Sequence, residues 1–177
     1  MKLFIEDDYF LTEENKNFIN NIVLGNNFPY YIQKGSLKSD NKYILYHTIL
    51  KRPEDRKEGE TFNSSFHPGF SSIVYSFFKK HNIKSKEILR MSVNYTFNNT
   101  HKKSGIHTDH NYKHNQLLVC LNDPEDKNAK TVILNKKDKI FKFIVPKQYN
   151  GICFSSVPHY MYFPKFGHRI MFVCTFR

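Results

Sequence analysis

No apolar run in the chain approaches the ~20 residues that a membrane-spanning helix requires, so none is expected. Cysteine is scarce. Cys120, Cys153 and Cys174 are odd in number, widely spaced and set in apolar, strand-like runs. That distribution argues against a disulfide framework or a clustered zinc site, and it predicts buried free thiols in a reducing cytoplasm. Acidic residues are the other shortage: 16 Asp and Glu face 27 Lys and Arg, a formal charge of +11. Such an excess attracts polyanions, nucleic acid among them, or small acidic substrates. Yet the lysines are scattered, with no arginine-rich stripe and no nucleic-acid motif, and a solvated lysine-rich surface explains them equally well. The opening residues turn acidic at Glu6-Asp7-Asp8, too soon for a secretory signal. With no repeat or linker, and 40% hydrophobic content over 177 residues, one globular domain spanning 1–177 is expected.

The first clear element is a helix opening at Thr12-Glu13-Glu14-Asn15, with Thr12 as its cap and the two glutamates at its positive end. Phe18, Ile19, Ile22 and Val23 recur at helical spacing, and Gly25 ends it. A strand is expected over Lys42–Leu50, with Tyr43, Leu45 and His47 on one face and Ile44, Tyr46 and Thr48 on the other. Lys51–Gly59 reads as a charged, mobile loop. A second helix starts near Pro68 and runs through Ile73, Val74, Phe77 and Phe78 to His81-Asn82. Strand patterns then occupy 87–97, 106–109, 116–122, 130–134, 140–145, 152–155, 159–163 and 168–176.

Two helices followed by about eight strands predict an α+β fold, an antiparallel sandwich or jelly roll, with the helices packed on one sheet. In the last strand Ile170, Phe172, Cys174 and Phe176 make one wholly apolar face. Arg169, Met171 and Val173 take the other, so Arg169 is expected to point into an interior.

The stretch with chemistry in it is Gly105-Ile106-His107-Thr108-Asp109-His110. Run as a strand, it puts His107 and Asp109 on one face, where an imidazole and a carboxylate can share a metal ion. Two ligands make a weak site, and His159 in Ser156-Val157-Pro158-His159-Tyr160 is the candidate third. Two His and one carboxylate on one face of an iron leave positions open, the facial geometry of non-haem Fe(II) oxygenases.

The pattern His-x-Asp, a distal His and an Arg shortly after it resembles the Fe(II)/2-oxoglutarate-dependent dioxygenases of the double-stranded β-helix, or cupin-like jelly roll. The resemblance covers roughly Leu89 to Arg177 and is strongest to small prolyl-hydroxylase-related and viral members. It implies that His107, Asp109 and His159 ligate Fe(II), and that Arg169 clamps the distal carboxylate of 2-oxoglutarate. The reaction it implies consumes O2, oxidises 2-oxoglutarate to succinate and CO2, and hydroxylates a substrate C–H bond.

Two departures stand out. Met171 lies where many members carry Ser or Thr, so a second polar contact to the co-substrate must come from Asn94 or Tyr95, with Asn94 favoured. The acidic-Gly-Thr motif of the family is degraded to Asn128-Ala129-Lys130-Thr131.

His110 and His114 are rival ligands on spacing alone, but Gly105, Asn111 and Asn115 make that segment a poor helix. His168 could replace His159, but sits on the apolar face of its strand. The substrate is left open between a protein side chain, a nucleic acid and a small molecule, with 43–57 and 111–115 as contacting segments. An oxidative nucleic-acid demethylase, with Tyr43, Tyr46 or Tyr112 stacking a base, and a non-catalytic cupin-like module binding a polyanion are the alternatives.

Overall fold

A computed structural model describes residues 3–34, 43–58, 60, 62–98, 101–135 and 137–177. Lys42 and Gly59, expected in the strand and loop above, lie outside them. The large sheet contains β1 (Phe4–Asp7), β2 (Tyr31–Lys34), β3 (Tyr43–Leu50), β4 (Ile88–Phe97), β5 (Asn115–Cys120), β8 (Gly151–Ser155) and β10 (His168–Phe176). They run antiparallel in the order β1-β8-β5-β10-β4-β3-β2. A smaller sheet, β7-β6-β9, is built from β6 (Thr131–Leu134), β7 (Ile140–Ile144) and β9 (His159–Met161).

β10 shows why the sequence folds this way. The pleat sends Ile170, Phe172, Cys174 and Phe176 to one face, where they join the helices in the larger core. Phe70 stacks on Phe172 at 4.8 Å and Phe78 meets Phe176 at 4.5 Å. Both phenylalanines come from α2 (His67–Lys80). Each fully buried ring stabilises the layer by roughly 2–3 kcal/mol. Met171 and Val173 point the opposite way, to a second core with Ile133 and Ile144 of the small sheet. β4 alternates in the same sense, sending Met91 and Val93 to the helices.

The first helix, α1 (Glu13–Phe18), has the expected cap, in which the Asn15 main-chain N–H donates to Thr12 Oγ1 at 3.2 Å. It continues as a π-helical turn over Ile19–Val23. Gly25 follows it with a φ that is not positive, and a Cβ there would stand 2.5 Å from the Asn21 carbonyl oxygen. Asn82, directly after α2, is left-handed, with φ 52°.

Three expectations differ from the structure. β1 and β2, both short edge strands, carried no alternating signal and form by pairing with β8 and β3. Segment 106–109 is not a strand; only His107 pairs, in an isolated bridge to His159. The charged 51–58 segment is pinned, since Arg56 donates to the carbonyls of Lys51, Ile88 and Leu89.

Candidate functional site

Between the two sheets lies a cavity, and His107, Asp109, His159, Arg169 and Asn94 all line it. His107 and Asp109 come from the segment between β4 and β5, Asn94 from β4, His159 from β9 and Arg169 from β10. His107 and His159 face one another across their backbone bridge, with N–H to carbonyl distances of 3.0 and 2.9 Å. Their ring centroids are 4.5 Å apart, and His159 Nε2 is 3.6 Å from Asp109 Oδ2.

The tautomers follow from the acceptors. His107 Nδ1 lies 3.0 Å from the Gly105 carbonyl, and His159 Nδ1 lies 3.2 Å from that of Val157. A carbonyl only accepts, so both Nδ1 atoms carry the proton and both Nε2 lone pairs are left free. Burial pushes the His159 imidazole down to about 4, which keeps it neutral near pH 7. Burial alone would raise Asp109, but His159, Arg90, His107 and Arg52 hold it at about 2. The donor set is thus two free imidazole nitrogens and one ionised carboxylate oxygen.

Two ligands at right angles, each ~2.1 Å from one ion, stand about 3 Å apart. The 3.6 Å approach is close to that spacing. Among the described residues no three such side chains are already closed to coordinating distance; an ion would have to draw them together. By its chemistry the set fits a divalent metal with a preference for nitrogen and oxygen.

Arg169 is 3% exposed, on the cavity face of β10. Its guanidinium donates to Thr131 Oγ1 at 2.5 Å and approaches Met161 Sδ at 3.3 Å, while its Nε has no partner. No described carboxylate pairs with it, and burial pushes its pKa down. A buried cation without a counter-ion is costly unless an anion arrives.

Asn94 lines the cavity with its Oδ1 buried and unpartnered. Tyr95 does not line it. Strand alternation turns Tyr95 to the opposite face, where it meets Tyr30 at 5.3 Å and stacks on His168 at 4.8 Å. That corrects the pairing of Tyr95 with the co-substrate, and it also takes His168 away from the site. His110 lies outside the cavity lining, with Nε2 2.8 Å from Thr175 Oγ1 and its ring stacked on Tyr112. His114 Nδ1 donates to the Tyr112 carbonyl.

Sequence reasoning missed three residues. Thr131, inside the degraded motif, is the hydroxyl that meets Arg169. Arg90 grips Asp109 Oδ1 at 3.0 Å, and Arg52 donates to the Asp109 carbonyl. The one available signal was that Arg90, Ser92, Asn94 and Thr96 share a polar face in an otherwise apolar strand. Of the two segments expected to touch substrate, 43–57 reaches the cavity through Ile44, and 111–115 contributes no lining residue.

No protein-family model matches the chain. No curated protein matches it either. Solved structures do. An oxidoreductase of the 2OG-Fe(II) oxygenase family from Burkholderia pseudomallei has a TM-score of 0.62 at 14% identity, covering 84% of this chain and 72% of that one. The viral collagen prolyl hydroxylase of Paramecium Bursaria Chlorella virus-1, solved with 2OG, has a TM-score of 0.59 at 16% identity. There 99% of this chain and 96% of that one are covered. A Trichoplax adhaerens prolyl hydroxylase, in complex with a hypoxia inducible factor peptide, has a TM-score of 0.63 at 14% identity, covering 98% and 82%. The chain has the double-stranded β-helix fold of these oxygenases.

Proposed function

We propose that this chain is an Fe(II)- and 2-oxoglutarate-dependent dioxygenase that hydroxylates a C–H bond of a substrate entering at the cavity mouth. The observation that carries the reading is Arg169, a buried guanidinium with no carboxylate partner, in the same cavity as two free imidazole nitrogens and an ionised carboxylate. A dicarboxylic acid with one end on the metal and the other on Arg169 answers both halves of that arrangement at once.

His107 and His159 would hold the iron through Nε2, and Asp109 through Oδ2. Iron held there supplies O2 activation, coupling decarboxylation of 2-oxoglutarate to succinate with oxidation of the substrate. Arg169 receives the distal carboxylate, with the Thr131 hydroxyl beside it. The unpartnered amide oxygen of Asn94 awaits a donor on the cavity wall. Leu118, Met171 and Val173 keep that wall apolar, which strengthens the guanidinium–carboxylate attraction by excluding water.

The nucleic-acid reading is weaker. Of the three tyrosines that would stack a base, Tyr46 lies beneath the Arg90 guanidinium and Tyr112 against His110. A non-catalytic binding module needs neither the three metal donors nor a buried Arg169.

Anaerobic titration of the protein with Fe(II) and 2-oxoglutarate tests the proposal. A weak visible charge-transfer band should develop, together with succinate formation once oxygen is admitted. A native protein that gives no band, or a His107→Ala/Asp109→Ala variant that keeps it, would overturn the assignment.

A further inference from the structure

Asp109 is held at two points, and neither belongs to the other metal donors. Its Oδ1 lies 3.0 Å from Arg90 Nη1, its Oδ2 lies 3.6 Å from His159 Nε2, and its main-chain carbonyl accepts from Arg52. Arg90 is itself seated. Its Nη2 is 3.4 Å from the Tyr46 hydroxyl, and its guanidinium lies 5.7 Å from the centre of the Tyr46 ring. Tyr46 sits on β3 and Arg90 on the neighbouring β4, both sending side chains to the cavity side of the large sheet. Arg90 and Asp109 are 12% and 7% exposed, so water competes little for this pair.

We infer that Arg90, seated on Tyr46, is a positioning residue that decides which oxygen of Asp109 is offered to the metal. This rests on the reading of His107, Asp109 and His159 as metal ligands. A carboxylate with both oxygens free can close on an ion with the two together. Arg90 removes that option by engaging Oδ1 with a charge-assisted hydrogen bond from a planar group that packing keeps in place. Asp109 then gives one oxygen, Oδ2, and uses one coordination position where it would otherwise use two. The position spared is one the co-substrate needs. Arg52 adds the second restraint by fixing the backbone from which the carboxylate hangs. Arg90 takes no part in the chemistry; it acts through Asp109.

Co(II) titration of the purified protein, followed by visible absorbance, tests this without turnover. Wild type, Arg90→Met, Arg90→Lys and Tyr46→Phe are compared, each with its thermal unfolding midpoint. Arg90→Met should bind Co(II) about ten- to a hundredfold more weakly, the usual loss when a metal ligand's supporting hydrogen bond is removed. Its Co(II) spectrum should also shift as the carboxylate closes with both oxygens. Arg90→Lys should recover part of the affinity, and Tyr46→Phe should lose a few-fold with the same spectral shift.

A merely structural arginine would lower the unfolding midpoint and leave the affinity and spectrum of the folded protein unchanged. Wild-type affinity and spectrum in Arg90→Met, or in Tyr46→Phe should the first variant not fold, would overturn the inference alone. A wild-type protein that takes up no Co(II) would overturn it together with the metal-site reading.

Discussion

At the scale of single residues, the role proposed for Arg169 sets function against stability. A guanidinium buried without a counter-ion costs the empty protein several kcal/mol, by the desolvation that also pushes its pKa down. Arg169→Met should therefore raise the stability of the ligand-free protein by about 1–4 kcal/mol, read as a higher urea midpoint. The same variant should lose at least a hundredfold in 2-oxoglutarate affinity, since a bidentate charge-assisted contact is gone. An unchanged affinity would remove Arg169 from the co-substrate's site. The cysteines behave as their sequence context implied. Burial pushes Cys120 up to about 11 and Cys153 up to about 12, and it raises Cys174 as well. The native protein should react with a thiol reagent only on unfolding.

At the scale of elements, the two helices were legible because their apolar spacing, Thr12 and Pro68 are local signals. What the spacing did not reveal is how they are joined. Asn15 is 2% exposed; its amide donates to Ser72 at 2.9 Å and accepts from Ser76 at 2.8 Å, besides closing the cap with Thr12. Asn15→Ala should destabilise the fold by about 1–2 kcal/mol, because it removes the reciprocal cap with Thr12 and both hydrogen bonds to α2; chemical denaturation measures it. β10 and β4 were read correctly for the same local reason, a strict period of two. β1 and β2 were not, since short edge strands owe their form to the neighbour they pair with. His107, Asp109 and His159 could be named from residue type and spacing, while Arg90 and Arg52 reach Asp109 only through tertiary contacts that no local pattern encodes.

At the scale of the whole molecule, the ends of the chain's elements are tied by charge. Asp7, at the end of β1, faces Lys80 and His81 at the end of α2, at 2.7 and 2.8 Å. Burial raises the Asp7 carboxyl, but hydrogen bonds from Lys80, the Tyr9 N–H and His81 outweigh it and hold the pKa below its ordinary value. A depressed carboxylate contributes stability that is complete above the unfolded pKa of ~3.9 and is lost as pH falls through the folded value. Asp7→Asn should thus cost about 1 kcal/mol at pH 7 and leave the variant with a shallower acid limb, traced by urea midpoints between pH 2 and pH 7. An unchanged acid limb would mean that the pair is fully screened.

The placement of the three proposed metal donors has a mechanical consequence. His107 and His159 are bound to the small sheet by their reciprocal backbone bridge, whereas Asp109 is anchored by Arg90 to the large one. An ion gripped by all three is a cross-link between the layers, and pulling the layers apart must release it. Free metal at a hundred times its dissociation constant would then add roughly 2.7 kcal/mol against melting. A chelator should lower the melting temperature and speed deuterium uptake at those two bridge amides together.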